Sequence, residues 1–193
     1  MKKLSNYLFL FLFSFSAPSF SDDIRDFQIE GISVGDSLLD YFSEEEILQS
    51  KVNYYNDDEY IPIYIADSIK FNDYDGLQFH YKKNDRNFTI YAIEGVKLFR
   101  DNYQGCLIKI REIDKELRGL LKNTDRFEID TQKHDYDKTG NSIWEGISYY
   151  FSNDDQIGVN CTDWTKEIRF TDNLRVSINK YAIQKWINEK AYK

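Results

Sequence analysis

Four groups of residues have types and spacings that chemistry could use. The first is Gly31-Ile32-Ser33-Val34-Gly35. It fits G-x-S-x-G, the sharp strand-to-helix turn that exposes a serine nucleophile. A strand-like Phe27-Gln28-Ile29-Glu30 precedes it and a helical pattern follows. The remaining parts of a triad are missing. A hydrolase sheet needs further βα units, whereas this chain reads antiparallel after its first helices. Only His80 or His134 could act as base, and neither is followed by a convincing acid in a late loop. Ser33 is therefore read as a small residue in a turn.

The two histidines are the second group. Leu77, Phe79 and Tyr81 share one strand face, so His80 falls on the other with Gln78 and Lys82. His134 continues the polar side of Glu128, Asp130 and Gln132. Zinc needs three or four ligands at short spacings, and neither histidine has them, so both are expected at the surface. Third, Asp135-Tyr136-Asp137-Lys138-Thr139-Gly140-Asn141 begins like a calcium loop. A calcium loop requires a bidentate Glu at its twelfth position, where this chain has Gly146. A hairpin turn closed by Gly140-Asn141 accounts for the same residues. The fourth group is a carboxylate pair, Asp75 and Glu145, at equivalent places in two similar segments. A glycosidase-type mechanism would need them roughly 5 to 9.5 Å apart across a cleft. The reading assigns no catalytic, cofactor-binding or metal-ligating residue and no cofactor.

The elements that position these groups follow from periodicity. Tyr74 to Ala92 and Trp144 to Cys161 read alike: aromatic-acid-Gly, alternating apolar residues, then a turn at Asn84-Asp85 or Asn153-Asp154. The second arms alternate as Phe88, Ile90, Ala92 and as Ile157, Val159, Cys161. Upstream, Gly35 and Gly105 each open a helix, which gives a period of about 70 residues and two tandem units. In unit one the pattern predicts a helix over 36–42, then a second short helix that begins with the capping box Ser43-Glu44-Glu45-Glu46. Strands follow at 60–65, 76–82 and 88–93. Unit two has a helix over 106–122, with Ile110, Ile113, Leu117 and Leu120 at helical spacing. Its strands are 126–131, 143–151, 156–162 and 174–178. A last helix over 181–191, capped by Asn179, carries Ile183, Trp186 and Ile187 on one face. The fold class is α+β: two helix-then-antiparallel-strand units sharing one core, plus a C-terminal helix. The units run about 24–99 and 100–178, and the last helix about 180–192.

Lys2-Lys3, an apolar run from Tyr7 to Phe15 and the small residues before Asp22 form the three parts of a secretory signal peptide. Residues 1–21 are the expected leader, with cleavage after Ser21, and 22–193 the mature domain. No later stretch is apolar enough to span a bilayer. The formal net charge is −8, and −10 once Lys2 and Lys3 leave with the leader. That balance argues against nucleic acid or an anionic membrane as partner, because phosphates would be repelled. Cys106 lies on the apolar stripe of its helix, and Cys161 on the apolar side of its strand. Both point inward, and in an exported chain such a pair is a disulfide. Aromatic residues make up 17% of the chain, enough for Tyr54-Tyr55, Tyr149-Tyr150 and Trp144 or Trp164 to form a contact face.

Ile32-Ser33-Val34-Gly35-Asp36-Ser37-Leu38-Leu39-Asp40-Tyr41-Phe42 resembles the turn-plus-helix opening of the small outer-membrane lipoprotein (SmpA/OmlA) family. The tandem layout is similar to the β-lactamase inhibitor protein fold. The resemblance implies an exported, non-enzymatic protein that works by contact with other proteins. The expected function is a periplasmic or extracellular binding or protein-interaction protein, its partner another protein or a small solute. The alternatives are a secreted hydrolase using Asp75 and Glu145, or an inhibitor of an extracellular enzyme. Alkylation followed by mass measurement checks the cysteine assignment. The unreduced protein takes up no alkyl group and the reduced protein takes up two, whereas two additions without reductant would contradict the pairing.

Overall fold

The computed structural model describes residues 23–66 and 71–193. The expected leader and its cleavage point after Ser21 lie outside the described residues. The chain is α+β, built on one antiparallel sheet of seven strands in the order β1-β2-β3-β7-β6-β5-β4. These are β1 (Tyr60–Ile65), β2 (Gly76–Lys82), β3 (Ile90–Leu98), β4 (Asp125–Lys133), β5 (Ile143–Tyr150), β6 (Gln156–Asp163) and β7 (Asn173–Asn179). Three helices accompany them: α1 (Glu44–Gln49), α2 (Tyr103–Leu120) and α3 (Tyr181–Trp186), the last running on into a π-helical turn at Ile187–Ala191. No helix among the described residues is long and apolar enough to cross a membrane.

Strand alternation gives the sheet two faces, and cross-strand partners share a face. On the first, Ile63, Phe79, Ile93, Ile178, Ile157 and Tyr149 form one continuous row across six strands. Helix α2 covers β5, β6 and β7 with Cys106, Ile110, Ile113 and Leu117, all buried. Asn102 caps it by accepting the Gly105 amide at 3.0 Å, which starts the helix three residues before the expected Cys106. Over the other half lies the segment carrying Phe27, Val34, Leu38 and Phe42, with Phe42 edge-on to Phe79 at 5.6 Å. Cys106 and Cys161 lie at disulfide distance, Cα to Cα 6.0 Å, and join α2 to β6.

Several sequence expectations are corrected. The helix over 36–42 shrinks to one 3-10 turn, Leu38–Asp40. Its backbone is engaged by the sheet instead: the Gly35 amide donates to Ile90 O at 2.8 Å and the Ile90 amide to Asp36 O at 2.9 Å. Phe88 takes φ 48° in the hairpin, and a register shift follows between β2 and β3. That shift turns Ala92 to the second face and Ile93 to the first. Asn179 does not cap α3, because Lys180 holds that position and the Tyr181 amide donates to Asp155 Oδ1 at 2.7 Å. The Ser43 cap forms as expected, accepting from the Glu46 amide.

One buried carboxylate fastens α2 to the sheet. Asp114 accepts from Arg126 Nε at 2.7 Å and Nη2 at 3.0 Å, from Arg118 Nη2 at 2.7 Å and from the Tyr149 hydroxyl at 2.5 Å. Burial alone would raise its pKa, but the two guanidinium groups and the phenol prevail and hold it down to about 2. Because the folded pKa is the lower one, this stabilisation is complete above pH 4 and fades as pH falls toward 2. Replacing Asp114 by Ala removes the buried acceptor but leaves Arg118 exposed and Arg126 free to meet water, so the loss is about 2–3 kcal/mol at neutral pH, the range of charge-assisted hydrogen bonds. Urea unfolding of wild type and Asp114→Ala at pH 7 and at pH 2.5 checks it. The difference between them shrinks in acid, and an unchanged difference would contradict the role of the ionised carboxylate.

Candidate functional site

The second face of the sheet holds the unusual chemistry. Strand β7 is central, and while Leu174, Val176 and Ile178 enter the core, Arg175, Ser177 and Asn179 project from the other side. Register places Glu94 of β3 opposite Ser177 and Gln78 of β2 opposite Glu94. Asn160 of β6 faces Arg175, and His80 faces Ala92. Arg175 Nη1 donates to Glu94 Oε2 at 2.6 Å, and its Nε reaches Asn173 Oδ1 at 3.3 Å. The Arg175 side chain retains 29% of its exposure and that of Glu94 20%, so the pair is sheltered yet reachable.

Two clusters of aromatic residues lie at this side of the sheet. The C-terminal turn brings Trp186 and Tyr192 against Tyr55, with ring centres at 4.9 and 5.2 Å. Asn56 ties that loop to the chain end through Ala191 O at 2.7 Å and Tyr192 O at 3.2 Å. From the opposite side the β4–β5 loop lays His134 on Trp164 at 4.3 Å, with Phe170 and Tyr136 beside them. Tyr64 of β1 lies opposite Gln78, itself opposite Glu94, so it shares their row on this face, and the field of Arg175 extends to Tyr54, Tyr192 and His134. Tyr54, Tyr136, Phe170 and Tyr192 stay between 45% and 63% exposed.

Three buried polar atoms on this side have no hydrogen-bond partner: Gln78 Oε1, His80 Nδ1 and Trp164 Nε1. Most buried polar atoms in proteins are paired, whereas Gln78 and His80, two residues apart on β2, leave two unpaired on one strand face. His80 is only 1% exposed, and its Nε2 lies 3.1 Å from the Tyr55 hydroxyl. This corrects the expectation of a surface histidine. Tyr55 covers the polar side of β2, packing against His80 and against Trp186 of α3. Burial pushes the His80 pKa down to about 4, against the pull of nearby Glu94. His134 is half-buried rather than exposed, and burial lowers its pKa as well.

The other candidates separate. Ser33 is buried and its hydroxyl donates to Phe27 O at 3.2 Å, a turn contact. Asp75 takes the Leu98 amide at 2.8 Å, and Glu145 takes the Thr131 hydroxyl at 2.9 Å. Counting register through Lys97, Leu174 and Cys161, the two carboxylates stand four strand spacings apart, roughly 19 Å along the sheet. Asp137 spends both oxygens on its own loop, holding the amides of Thr139 at 2.8 Å and Ser142 at 2.7 Å. No group of three or more metal-ligating side chains occurs among the described residues. Of the proposed aromatic face, Tyr54, Tyr55 and Trp164 reach the second side, while Tyr149 turns into the core. Arg175 and Glu94 escaped sequence reading because single charges in alternating strands look solvated. Their signal was a lone Arg between Leu174 and Val176 in the strand that turns out to be central.

This architecture and site describe an α+β protein with one helix-backed antiparallel sheet and an aromatic-ringed ion pair on its second face. No known family, curated protein or solved structure matches the chain.

His80 sets a pH signature. Its folded pKa of about 4 lies below the ordinary 6.5, so the unfolded chain binds the extra proton first. Stability from this group is complete above pH 6.5 and is lost as pH falls through 4, about 3 kcal/mol in all. Urea midpoints for wild type and His80→Gln between pH 7 and pH 4.5 measure it. The wild type loses stability over that range and the variant much less; parallel curves would contradict the assignment.

Proposed function

We propose that this is an exported binding protein without catalysis, and that it takes its partner on the second face of the sheet around Arg175. One observation carries the reading: exposed aromatic residues from separate loops and the chain end accompany a sheltered Arg–Glu pair on the second side of the sheet, with buried polar atoms that lack partners. Tyr, Trp and Arg are the residue types that dominate binding surfaces, because they bury area at small entropic cost. The cysteines at disulfide distance agree with an oxidising compartment. The resemblance of the 32–42 segment to exported contact proteins points the same way. Hairpins β2–β3 and β5–β6 flank β7, so both halves of the sheet contribute to this face. The separation of Asp75 from Glu145 gives the hydrolase alternative no support.

A photo-reactive residue placed at Tyr136, in the exported compartment of the native host, tests the reading. It forms a discrete adduct that disappears when Arg175 is replaced by Met. The same residue placed at Ile108, exposed on α2, forms none. Adducts of equal yield at both positions, or none at either, would overturn the proposal.

A further inference from the structure

Building on that reading, we infer that the ligand held at the Arg175–Glu94 pair is a neutral saccharide. The argument starts with charge. Arg175 and Glu94 are joined by one contact, so the floor of the site has no net charge. Gln78 is neutral, and buried His80 carries no proton at neutral pH. An anion would lie against Glu94 and a cation against Arg175, each paying for a charge left uncompensated. The neutral floor favours an uncharged ligand.

Hydrogen bonding narrows the class. The Arg175–Glu94 contact uses Nη1 and Oε2, which leaves Nη2 as donor and Oε1 as acceptor. Gln78 Oε1, beside Glu94 in the register, is a buried acceptor without a partner. A ligand that both donates and accepts at neighbouring atoms satisfies this set, and adjacent hydroxyl groups do so. The surrounding rings supply the other half of the match. Tyr64 shares the row of Gln78 and Glu94, Tyr54 and Tyr192 pack against Tyr55, and His134, Trp164 and Tyr136 form a second cluster. Pyranose rings present flat C–H faces that stack on aromatic planes, while their rims carry the hydroxyls. A hydrocarbon ligand would use the aromatic rings and leave the polar floor unpaired.

Titration of the full mature chain with neutral mono- and oligosaccharides, followed by tryptophan fluorescence and calorimetry, decides the matter. Free amino acids, acidic sugars and amino sugars form the comparison arms. At least one neutral saccharide binds saturably, and a tenfold rise in salt leaves its affinity within twofold. Tyr136→Ala, an exposed change that keeps the fold, weakens it at least tenfold. Arg175→Met does the same, and Ile108→Ala on α2 changes nothing. Binding that collapses with salt, or that is confined to amino acids or charged sugars, overturns the saccharide assignment. If no saccharide binds while Tyr136 still gives an Arg175-dependent photo-adduct, the face binds a different class of ligand and this inference fails alone. If both are absent, the binding reading fails with it.

Discussion

The structure depends on the two-residue alternation of β7. This strand joins β3 to β6, and so holds the two halves of the sheet in one register. Its inward residues, Leu174, Val176 and Ile178, complete rows of side chains that run across the sheet. A slip of one residue would send Arg175 into that core and bring Val176 out, a cost no other contact could offset. The register that builds the core therefore also fixes Arg175 at the centre of the opposite face. Core and candidate site are two sides of one constraint.

The first face is closed by elements with conventional apolar stripes, and most of it was legible. Strands β1 and β2 fall at the residues their alternation predicts, and α2 buries the stripe of Cys106, Ile110, Ile113 and Leu117. Illegible parts are those where distant backbone competes with local propensity. Residues 36–42 have a helical pattern, but bonding to the β2–β3 hairpin leaves them one turn. The Phe88 conformation and the following register shift inverted the side assigned to Ala92, which no alternation rule foresees. The second face was misread for a simple reason. Polar strand residues signal solvent only when nothing folds over them, and here the C-terminal turn and the loop of Tyr54-Tyr55 do.

This covering shelters the polar groups of the second face, the Arg175–Glu94 pair among them. A buried or half-buried ion pair seldom stabilises a fold more than well-packed apolar residues of the same size. The Asp114 cluster is a different case, since it accepts four bonds and fastens a helix to two strands. Arg175–Glu94 has one direct contact, with donor and acceptor atoms to spare. The proposed binding role accounts for a position that trades stability for free donor and acceptor atoms.

The central claim is that the Arg175–Glu94 pair serves binding and not the fold. Urea unfolding of Arg175→Met/Glu94→Leu at neutral pH tests it most directly, because it removes both charges together and needs no ligand. The account predicts a midpoint equal to or above that of wild type. A loss of several kcal/mol would contradict it and make the pair part of the framework.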